Sequence, residues 1–568
     1  MQVPIETIPI ETLPLEILDQ IIQETIPESF SQLRCTCKAF YRAGERYFRR
    51  HRELRARFHN VDYHTLRHDQ VKNAVELLHA IAEDPIAGRY IVRANLSADN
   101  ACSVRHQQVG DGVGPPLGLL KAYKAKYGGP LRRLVEESSY IAEAGIDPDK
   151  WLAKMLDPKG LEATVFLLTL LPNVVYLNLP TGWTRLPTDV DEAPTRGNGA
   201  LWDIVDVLVR QSDSNDPALA NRDIWNLLDL IVKRASDEQL SGMSLGRLRD
   251  FAFVPLVINL QESHGLTESS LTSCAPFLAL PSLEHFLLIG CHACNATHRD
   301  VFYPRYSAFS PNLRELDLRH SAVKASAFAD LLSRLPHLED VRYHHEVKKY
   351  SCGRNCDIGA ILATIQKHAG RHLRKLVVTT TSNYYNEIGT TLDDMSGFKA
   401  LQVLAITFDI LLGPSYIEGY PEWDGGYQHP GKRKLRLLKD IIPPTVTSLL
   451  FTVRDIDNML PTLVKMLRGF DVERMNFFGL EVSVPQNHTW PTKTTDAIYA
   501  IKKLGIQFME EGEQNWEGRM NLLSVESAVW PKAGSGHVLQ RVLQQHAAEQ
   551  VAQLGHTAQH TLQDDVDG

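Results

Sequence analysis

Residues 311–319 read PNLRELDLR, and residues 336–344 read PHLEDVRYH. Counted from the first leucine of each stretch, positions 1, 4 and 6 are apolar: Leu313, Leu316 and Leu318, then Leu338, Val341 and Tyr343. Charged residues fill most of the positions between them, which is the period of a strand with one buried face. A proline stands two places before position 1 in both stretches. We therefore expect two short strands that point positions 1, 4 and 6 into a core.

The same spacing recurs along the chain. The other triples are Val174/Leu177/Leu179, Leu248/Phe251/Phe253, Leu283/Phe286/Leu288, Leu373/Leu376/Val378, Leu401/Leu404/Ile406, Val446/Leu449/Phe451, Val472/Met475/Phe477 and Ile501/Leu504/Ile506. With 43% apolar residues, chance gives such a triple at about one start in twelve, so single matches are weak. The regular spacing of the triples is stronger evidence, because from Leu248 onward the first residues of successive triples lie 25 to 45 residues apart.

Amphipathic helices are predicted between several of these strands. Three stretches keep the spacing of one helix face: Phe328/Leu331/Leu332/Leu335, Ile358/Ile361/Leu362/Ile365 and Leu460/Leu463/Val464/Leu467. Strand, turn, helix and turn in about thirty residues is the pattern of a leucine-rich solenoid. The repeats are irregular, since only Cys291 supplies the Asn or Cys that such units prefer at position 9. We predict this solenoid over residues 161–520.

A different pattern opens the chain, where residues 13–22 read LPLEILDQII and residues 33–41 read LRCTCKAFY. Leu15, Leu18, Ile21 and Ile22 fall on one helix face. Pro14 suits a first helical turn with Thr12 as N-cap. A second short helix is expected from Pro27, followed by a third with its own apolar stripe. Three helices in so few residues cannot bury all this apolar surface on themselves. Part of it should meet a partner.

These two stretches resemble an F-box, with the Leu-Pro-x-Glu-Ile opening and the Leu-Arg-x-Thr-Cys-Lys-x-Phe close of fungal members. The similarity covers residues 10–54. It implies docking on the small adaptor of an SCF-type ubiquitin ligase and, through that adaptor, on the cullin. The residues expected to bind the adaptor are Leu13, Pro14, Glu16, Ile17, Leu18, Ile21, Leu33, Cys37 and Phe40. The repeats are similar to the degenerate leucine-rich region that follows fungal F-boxes.

The predicted fold class is thus α/β, a leucine-rich-repeat-like solenoid capped by an N-terminal three-helix F-box. Residues 60–160 are interpreted as a helical linker and solenoid cap. Residues 523–568, rich in Gln, His and Ala and ending in Asp564-Asp565-Val566-Asp567, are expected to be a disordered tail. The resemblance implies a substrate receptor of the ligase. The alternative is a leucine-rich scaffold that binds an adaptor without supporting ubiquitin transfer.

Composition limits the partners and the location. The 568 residues carry a net charge of −8 with a pI near 6.3, which argues against a general nucleic-acid binder. The basic run from Arg42 to Arg57 is better explained as a solvated helix face than as a nucleic-acid patch. No apolar run reaches membrane-spanning length, and no secretory signal is visible. Eight cysteines are then expected to stay reduced in a cytoplasmic or nuclear protein.

Catalytic motifs are absent from the sequence. It contains no phosphate-binding glycine loop, nucleophile elbow or His-Glu-x-x-His run, so we expect neither an enzyme nor a cofactor. A zinc site could be drawn from Cys291, Cys294, His298, Cys352, Cys356, His344 and His345. However, 57 residues separate the two cysteine pairs, and Cys291 already has a place in a repeat. No metal is therefore predicted.

Two features are candidates for binding a protein substrate. The first is the outward face of two adjacent strands, with Asp317, Arg319, Arg342 and His344. The second is a Gly- and Pro-rich loop that carries Tyr420, Trp423 and Tyr427, residue types that dominate interfaces. Each has a structural alternative. Opposite charges on adjacent strands can pair with each other, and the aromatic residues can fold back over the last helices.

Overall fold

The computed structural model describes residue 10 and residues 13–63, 71–99, 117–157, 161–180, 183, 222–237, 242–254, 269–293, 309–346, 357–380, 394–412, 435–453, 456–482 and 492–510. The chain divides into two compact units. The first comprises Met1–Leu373 with Thr380–Thr390, and the second Arg374–Thr379 with Thr391–Gly568. The tail predicted at 523–568 lies outside the described residues.

The first unit begins with helices and continues as alternating strands and helices. Its helices are α1 (Leu15–Thr25), α2 (Phe30–Thr36), α3 (Lys38–Phe58), α4 (Ala74–Glu83), α5 (Ala87–Tyr90), α6 (Leu117–Glu136), α7 (Ser139–Glu143), α8 (Pro148–Met155), α9 (Glu162–Leu168), α10 (Arg222–Ala235), α11 (Ala275–Leu278), α12 (Ala325–Ser333) and α13 (Ile358–His368). Its strands are β1 (Asn60–Asp62), β2 (Arg93–Asn95), β3 (Tyr176–Asn178), β4 (Asp250–Phe253), β5 (Ser269–Ser270), β6 (His285–Ile289), β7 (Cys291–Ala293), β8 (Glu315–Val323) and β9 (Asp340–His345).

The second unit repeats the same alternation. Its strands are β10 (Lys375–Thr380), β11 (Val403–Thr407), β12 (Ser448–Val453), β13 (Phe477–Val482) and β14 (Gln507–Glu510), and its helices are α14 (Phe408–Leu412), α15 (Leu438–Ile441), α16 (Ile456–Met466) and α17 (Thr492–Lys503). Within the described residues, no helix combines the length and the apolar composition that crossing a membrane requires.

Both units are built on open parallel sheets. In the first, strands pair in the order β1-β2-β3-β4-β6-β8-β9, and the short β5 and β7 pair beside β8. In the second, the order is β10-β11-β12-β13-β14. Every pair is parallel. The chain is therefore a mixed α/β protein in which most strands pair with the next one in sequence.

The register explains the spacing seen in the sequence. Position 4 of each strand lies opposite position 4 of the next, giving one buried row in the first unit: Val61, Ala94, Leu177, Phe251, Phe286, Leu316 and Val341. The rings of Phe251 and Phe286 stack with centroids 5.0 Å apart. Each large side chain in such a row contributes about 1.5–3 kcal/mol by leaving water. The amphipathic helices predicted around Phe328, Ile361 and Leu463 are confirmed as α12, α13 and α16.

Two of the predicted triples have the wrong register. In β13 the residues that pair with the buried Leu449 and Phe451 are Phe478 and Leu480. The triple Val472/Met475/Phe477 therefore starts three residues too early, because Met475/Phe478/Leu480 has the same spacing and fits the pattern equally well. The triple Ile501/Leu504/Ile506 fails because α17 continues to Lys503 and leaves Leu504 45% exposed.

The sheet also begins earlier than residue 161. Strands β1 and β2 lie in the segment interpreted as a helical linker, and they pair in parallel with each other and with β3. Their core residues, such as Val61 and Ala94, follow the same spacing and are buried. On the opposite face, Asp62, Asn95 and Asn178 form a polar ladder. Asn95 Nδ2 donates to Asp62 Oδ1 at 3.1 Å, and Asn178 Nδ2 donates to Asn95 Oδ1 at 2.9 Å.

Candidate functional site

The three N-terminal helices form a small bundle, which we call the cap (α1–α3). Its interior includes Leu18 and Ile22 of α1, Phe30 of α2 and Phe40 of α3, all of which are buried. Asp19 of α1 forms an ion pair with Arg46 of α3. The second helix begins at Phe30, three residues after the Pro27 expected from sequence, and the proposed N-cap residue Thr12 lies outside the described residues.

One arginine holds α2 against α3. The Arg34 guanidinium lies 4.1 Å from the ring centroid of Phe48 and 4.8 Å from that of Tyr41, and it donates to Glu45 at 2.6 Å. Gly44 leaves room for this side chain, because a Cβ there would come within 2.8 Å of Arg34 Cγ. The buried arginine stem and its stacked rings thus fix the angle between the two helices.

The nine residues expected to bind the adaptor divide into three groups by exposure. Pro14, Glu16 and Ile17 are exposed. Half-buried positions are occupied by Leu13, Ile21, Leu33 and Cys37. Leu18 and Phe40 require a correction: they are buried in the cap itself and offer no surface to a partner. Helical periodicity places them on an apolar stripe, but the inner side chains of that stripe pack between α1, α2 and α3.

Two exposed apolar residues were missed by the sequence reasoning. Leu15 is 55% exposed and Tyr41 57% exposed. With Ile10 and Ile17 they account for four of the six large apolar side chains that are exposed among the described residues, the others being Tyr499 and Leu504. The sequence contained a signal for these residues, because Leu15 falls on the apolar face of the first predicted helix and Tyr41 ends the apolar stripe in LRCTCKAFY.

Charged and polar contacts attach the cap to the end of α4, to α5 and to the segment before β3. Arg50 of α3 donates to both carboxylate oxygens of Asp84 at 2.9 Å. The Nδ1 atom of His51 lies 2.9 Å from the hydroxyl of Tyr90 in a buried contact. Glu28, between α1 and α2, accepts from Arg89 at 3.1 Å and from Asn173 at 2.6 Å. The cap is therefore held by several independent contacts.

The structure brings together three of the four residues predicted on the outward face of β8 and β9, namely Asp317, Arg319 and Arg342. Arg319 donates to Asp317 at 2.7 Å, and Arg342 lies 3.9 Å from the same carboxylate. Arg342 also contacts Glu315 at 3.0 Å and Asp340 at 2.8 Å. We call these five residues the charged patch. The predicted alternative, that opposite charges pair with each other across the sheet, describes these contacts.

Burial shapes the electrostatics of the charged patch. Burial raises the pKa of Glu315, and the carboxylates of Asp340 and Asp317 add to this while Arg342 opposes it. Burial would lower the pKa of Arg342, but the surrounding carboxylates outweigh that effect and raise it. On the next strand, burial likewise opposes the charge of His285, yet the hydrogen bond to Asp250 at 2.7 Å and the nearby Glu315 leave its pKa raised. Arg342 is thus the central cation of the patch.

His344 borders the charged patch and is joined there by two residues that were not predicted. A register shift in β8 between Leu318 and Ser321 brings His320 alongside His344, and Glu346 follows on the same face of the chain. The three ligand-capable groups lie within 4.8 Å of one another. The alternation of side chains along a strand does not reveal a bulge. It therefore predicted the face on which His344 lies but could not predict that of His320.

The other predicted surface gives a different result. Tyr420, Trp423 and Tyr427 lie outside the described residues. In the second unit, the positions expected to face outward are buried: Val377, Thr379, Ala405 and Thr407. Val377, Ala405 and Leu450 pack as one apolar cluster with Val403 and Phe477 against it. Because Val377, Ala405 and Leu450 are apolar rather than charged, they join a core instead of presenting a binding face.

No protein-family model matches the chain, and no curated protein matches its sequence. The function of the cap and of the charged patch is therefore inferred from their own residues.

Proposed function

We propose that this chain is the substrate-recognition subunit of an SCF-type ubiquitin ligase. Residues 10–54 act as an F-box that docks on the adaptor, and a leucine-rich-repeat solenoid binds the substrate. The observation that supports this most is the apolar surface of the cap, where Leu15, Ile17 and Tyr41 stay exposed beside a well-packed interior. The F-box sequence pattern falls on these same helices.

The cap is suited to docking because its interior and its surface have separate roles. Leu18, Phe30 and Phe40 hold the helices together, and the exposed apolar residues are left to meet a partner. Four of the six large apolar side chains that are exposed among the described residues lie between residues 10 and 41, and a concentration of exposed apolar surface usually marks an interaction site. In an assembly they would lose water contact at about 25 cal/mol for each Å² buried. The adaptor is the occupant to which the motif points.

The proposed mechanism is positional. The adaptor joins the cap to the cullin, and the solenoid holds a substrate lysine close to the ubiquitin thioester on the conjugating enzyme. Proximity of this kind raises the effective concentration of the two reacting groups. The receptor contributes no reacting group of its own. Contacts such as Arg50–Asp84 and His51–Tyr90 hold the cap against α4 and α5, which favours a defined distance between adaptor and substrate.

Adaptor binding can be tested with substitutions on the exposed face. Pro14→Ala combined with Ile17→Asp should abolish pull-down of the adaptor, since a carboxylate would be buried in an apolar interface. Tyr41→Asp should have the same direction of effect. The matched control is Tyr499→Asp, because Tyr499 is 73% exposed and lies in the second unit. Equal adaptor capture by Tyr41→Asp, Pro14→Ala/Ile17→Asp and the control would refute the docking surface.

The scaffold alternative makes a different prediction for the same experiment. A receptor brings down the adaptor and the cullin together, whereas a scaffold retains an adaptor without the cullin. The cullin in the pull-down therefore decides between the two functions. Substrates of a true receptor should also accumulate in cells when Ile17→Asp replaces the wild type, which quantitative mass spectrometry measures.

The charged patch and the bordering His344 are the proposed substrate surface, with Asp317, Arg319, Arg342 and His344 selecting a partner by electrostatic complementarity. The contacts determine which residue to change. Arg342 contacts three carboxylates and keeps only 16% of its side chain exposed, whereas Arg319 contacts Asp317 and keeps 26% exposed. Arg319→Glu should weaken substrate capture and leave adaptor binding intact, and Trp423→Ala tests the aromatic loop separately. An unchanged set of partners in both variants would remove this surface from consideration.

A further inference from the structure

The strand β8 carries a bulge at the edge of the charged patch. Leu318 pairs with Tyr343 and Ser321 pairs with His345, so Arg319 and His320 together oppose the single residue His344. A bulge of this kind turns two successive side chains to one face of the sheet. Without it, His320 would point to the face opposite His344.

The backbone at the bulge is unusual for a residue with a side chain. His320 has a φ of +48°, in the left-handed region. On the neighbouring chain segment, Gly290 has a φ of +76° and donates its N–H to the carbonyl of Arg319 at 2.9 Å. Glycine adopts this conformation readily, whereas other residues do so at a cost and mostly where function maintains it. A histidine at this position therefore suggests a use for its imidazole.

Buried hydrogen bonds hold the bulge in place. The Ser321 hydroxyl donates to the carbonyl of Arg319 at 2.8 Å and accepts from the N–H of Cys291 at 3.1 Å. The Tyr343 hydroxyl donates to the carbonyl of Ser321 at 3.2 Å and lies 2.8 Å from His345 Nδ1. The N–H of Glu346 donates to the carbonyl of Ser321 at 3.2 Å. The shell that positions His320 and Glu346 is thus rigid, as ligand sites require.

Three groups that favour transition metals converge on this bulge. His320 Nδ1 and Glu346 Oε2 are 2.5 Å apart, and the rings of His320 and His344 have centroids 4.7 Å apart. One ligand atom from each of the three residues lies within 4.8 Å of the other two. A zinc ion with bonds of about 2.0–2.2 Å needs its ligand atoms about 3.3 Å apart, which small side-chain rotations provide. His320 and Glu346 each keep about a quarter of their side chains exposed, 25% and 26%, so an ion can enter.

We propose that His320, His344 and Glu346 form a binding site for a divalent transition-metal ion of the zinc class. Two imidazoles and one carboxylate are a ligand set that binds such ions and leaves a coordination position open. The site lies near the carboxyl ends of parallel strands, where ligands commonly bind in open α/β sheets. The open position can accept a side chain of a bound protein or a water molecule. The proposal is independent of the cap and of the adaptor.

The test is metal titration of the full-length protein. After treatment with a chelator, Zn²⁺ is titrated in competition with a chromophoric chelator, and Co²⁺ is added separately to record its visible spectrum. The variants are His320→Asn, His344→Asn and Glu346→Gln. Asparagine tolerates the left-handed backbone at position 320, and glutamine matches the shape of Glu346. The control is His337→Asn, because His337 is exposed in the same unit.

The chain has 22 histidines and eight cysteines, so some background binding is expected and the comparison between variants decides. We expect one Zn²⁺ bound by the wild type and by the control. Each of the three variants should bind it at least about tenfold more weakly, since even changes around the ligands cost 10–100-fold. Co²⁺ should give a wild-type absorption band that the same three variants lose. Equal affinity in the wild type and in all three variants would overturn the proposal.

Loss of folding must be separated from loss of a ligand. Thermal melting in the presence of EDTA should give the same midpoint for Glu346→Gln and the wild type, because the hydrogen bond from His320 can be kept by the amide oxygen. Added Zn²⁺ should then raise the midpoint of the wild type and of His337→Asn only, as an ion that binds the folded state stabilises it. A zinc-dependent shift of equal size in Glu346→Gln would also reject the site.

Discussion

His51 and Tyr90 share a buried hydrogen bond that joins α3 of the cap to α5, with 2.9 Å between Nδ1 and the hydroxyl oxygen. The His51 ring also packs on Phe30, with centroids 4.8 Å apart. Burial and the nearby Arg55 and Arg34 lower the pKa of His51, and burial raises the pKa of Tyr90 to about 12. Both side chains are therefore neutral in the folded protein at neutral pH.

This contact should make the folded state sensitive to acid. Because the folded pKa of His51 is lowered, the unfolded chain binds the proton more readily. The stability associated with a neutral His51 is full above the ordinary pKa of about 6.5 and is lost as the pH falls through the lowered folded value. We expect His51→Gln to lose less stability than the wild type between pH 8 and pH 5 in urea denaturation. The exposed control His337→Gln should show the same pH dependence of stability as the wild type. If His51→Gln also shows it, stability is not linked to protonation of His51.

The buried rows of the two units can be tested by truncating one leucine in each. Leu316 and Leu404 are fully buried, so Leu316→Ala and Leu404→Ala should each lower the free energy of unfolding by about 2–5 kcal/mol. Leu504→Ala is the matched control. Since Leu504 is 45% exposed, the same truncation should change stability by less than about 0.5 kcal/mol. Chemical denaturation measures all three, and equal losses for the three variants would contradict the register described for these strands.

Two glycines offer a test of close packing in the first unit. A Cβ at Gly88 would lie 2.7 Å from the backbone oxygen of Leu170. Backbone cannot move as a side-chain tip can, so Gly88→Ala should destabilise the protein by about 1–3 kcal/mol. At Gly128 in α6, the nearest atom to a new Cβ is Leu156 Cδ1 at 3.9 Å. Gly128→Ala should therefore be stabilising, by about 0.4–1 kcal/mol. Thermal melting of both variants checks the difference in sign.

The charged patch predicts unequal effects for its two arginines. Arg342→Met leaves the partly buried carboxylates of Glu315, Asp317 and Asp340 without their central cation and should cost about 3–5 kcal/mol at pH 7. Arg319→Met removes one ion pair nearer the surface and should cost about 1 kcal/mol. The two variants are matched, since both replace an arginine by methionine on adjacent strands.

The penalty for Arg342→Met should also depend on pH. Burial already raises the pKa of Glu315, and loss of the cation raises it further. A carboxyl group with a raised folded pKa favours folding at low pH and loses that contribution as the pH rises through the folded value. The difference between Arg342→Met and the wild type should accordingly be smaller at pH 4.5 than at pH 7. A difference that stays constant over this range would show that the carboxylates do not titrate with folding.

The sequence predicted those parts of the fold that depend on local periodicity. Leu316 lies in a strand whose apolar residues alternate with polar ones, and Leu404 keeps the same spacing to Leu401 and Ile406, so the burial of both followed directly. The pattern failed where it was degenerate. Phe477 and Phe478 are adjacent and equally apolar, and only pairing with β12 decides which of them is buried. Residues 91–96 read as an extended segment, but the sheet was expected to begin only at residue 161. β1 follows α3 directly, and Ala94 is too small to give β2 the apolar triple of a repeat.

The candidate sites show the same limit. The cap residues Ile17 and Leu18 are neighbours on an apolar helix, but only the packing of α1 against α3 exposes one and buries the other. Arg342 could be placed on the outward face from alternation alone. Its partners on β8 depend on the register between strands, and His320 depends on a bulge. Contacts set by tertiary pairing cannot be obtained from spacing along one segment.

The left-handed backbone at residue 320 also restricts how this position can vary over evolutionary time. Among ordinary residues, only glycine, asparagine, aspartate and histidine adopt such a φ at modest cost. Of these four, histidine and aspartate can bind a zinc-class ion, whereas glycine would keep the bulge but supply no ligand. Single substitutions that preserve the fold can therefore separate descendants of this chain into two groups, those that retain an ion-binding side chain at the bulge and those that have lost it.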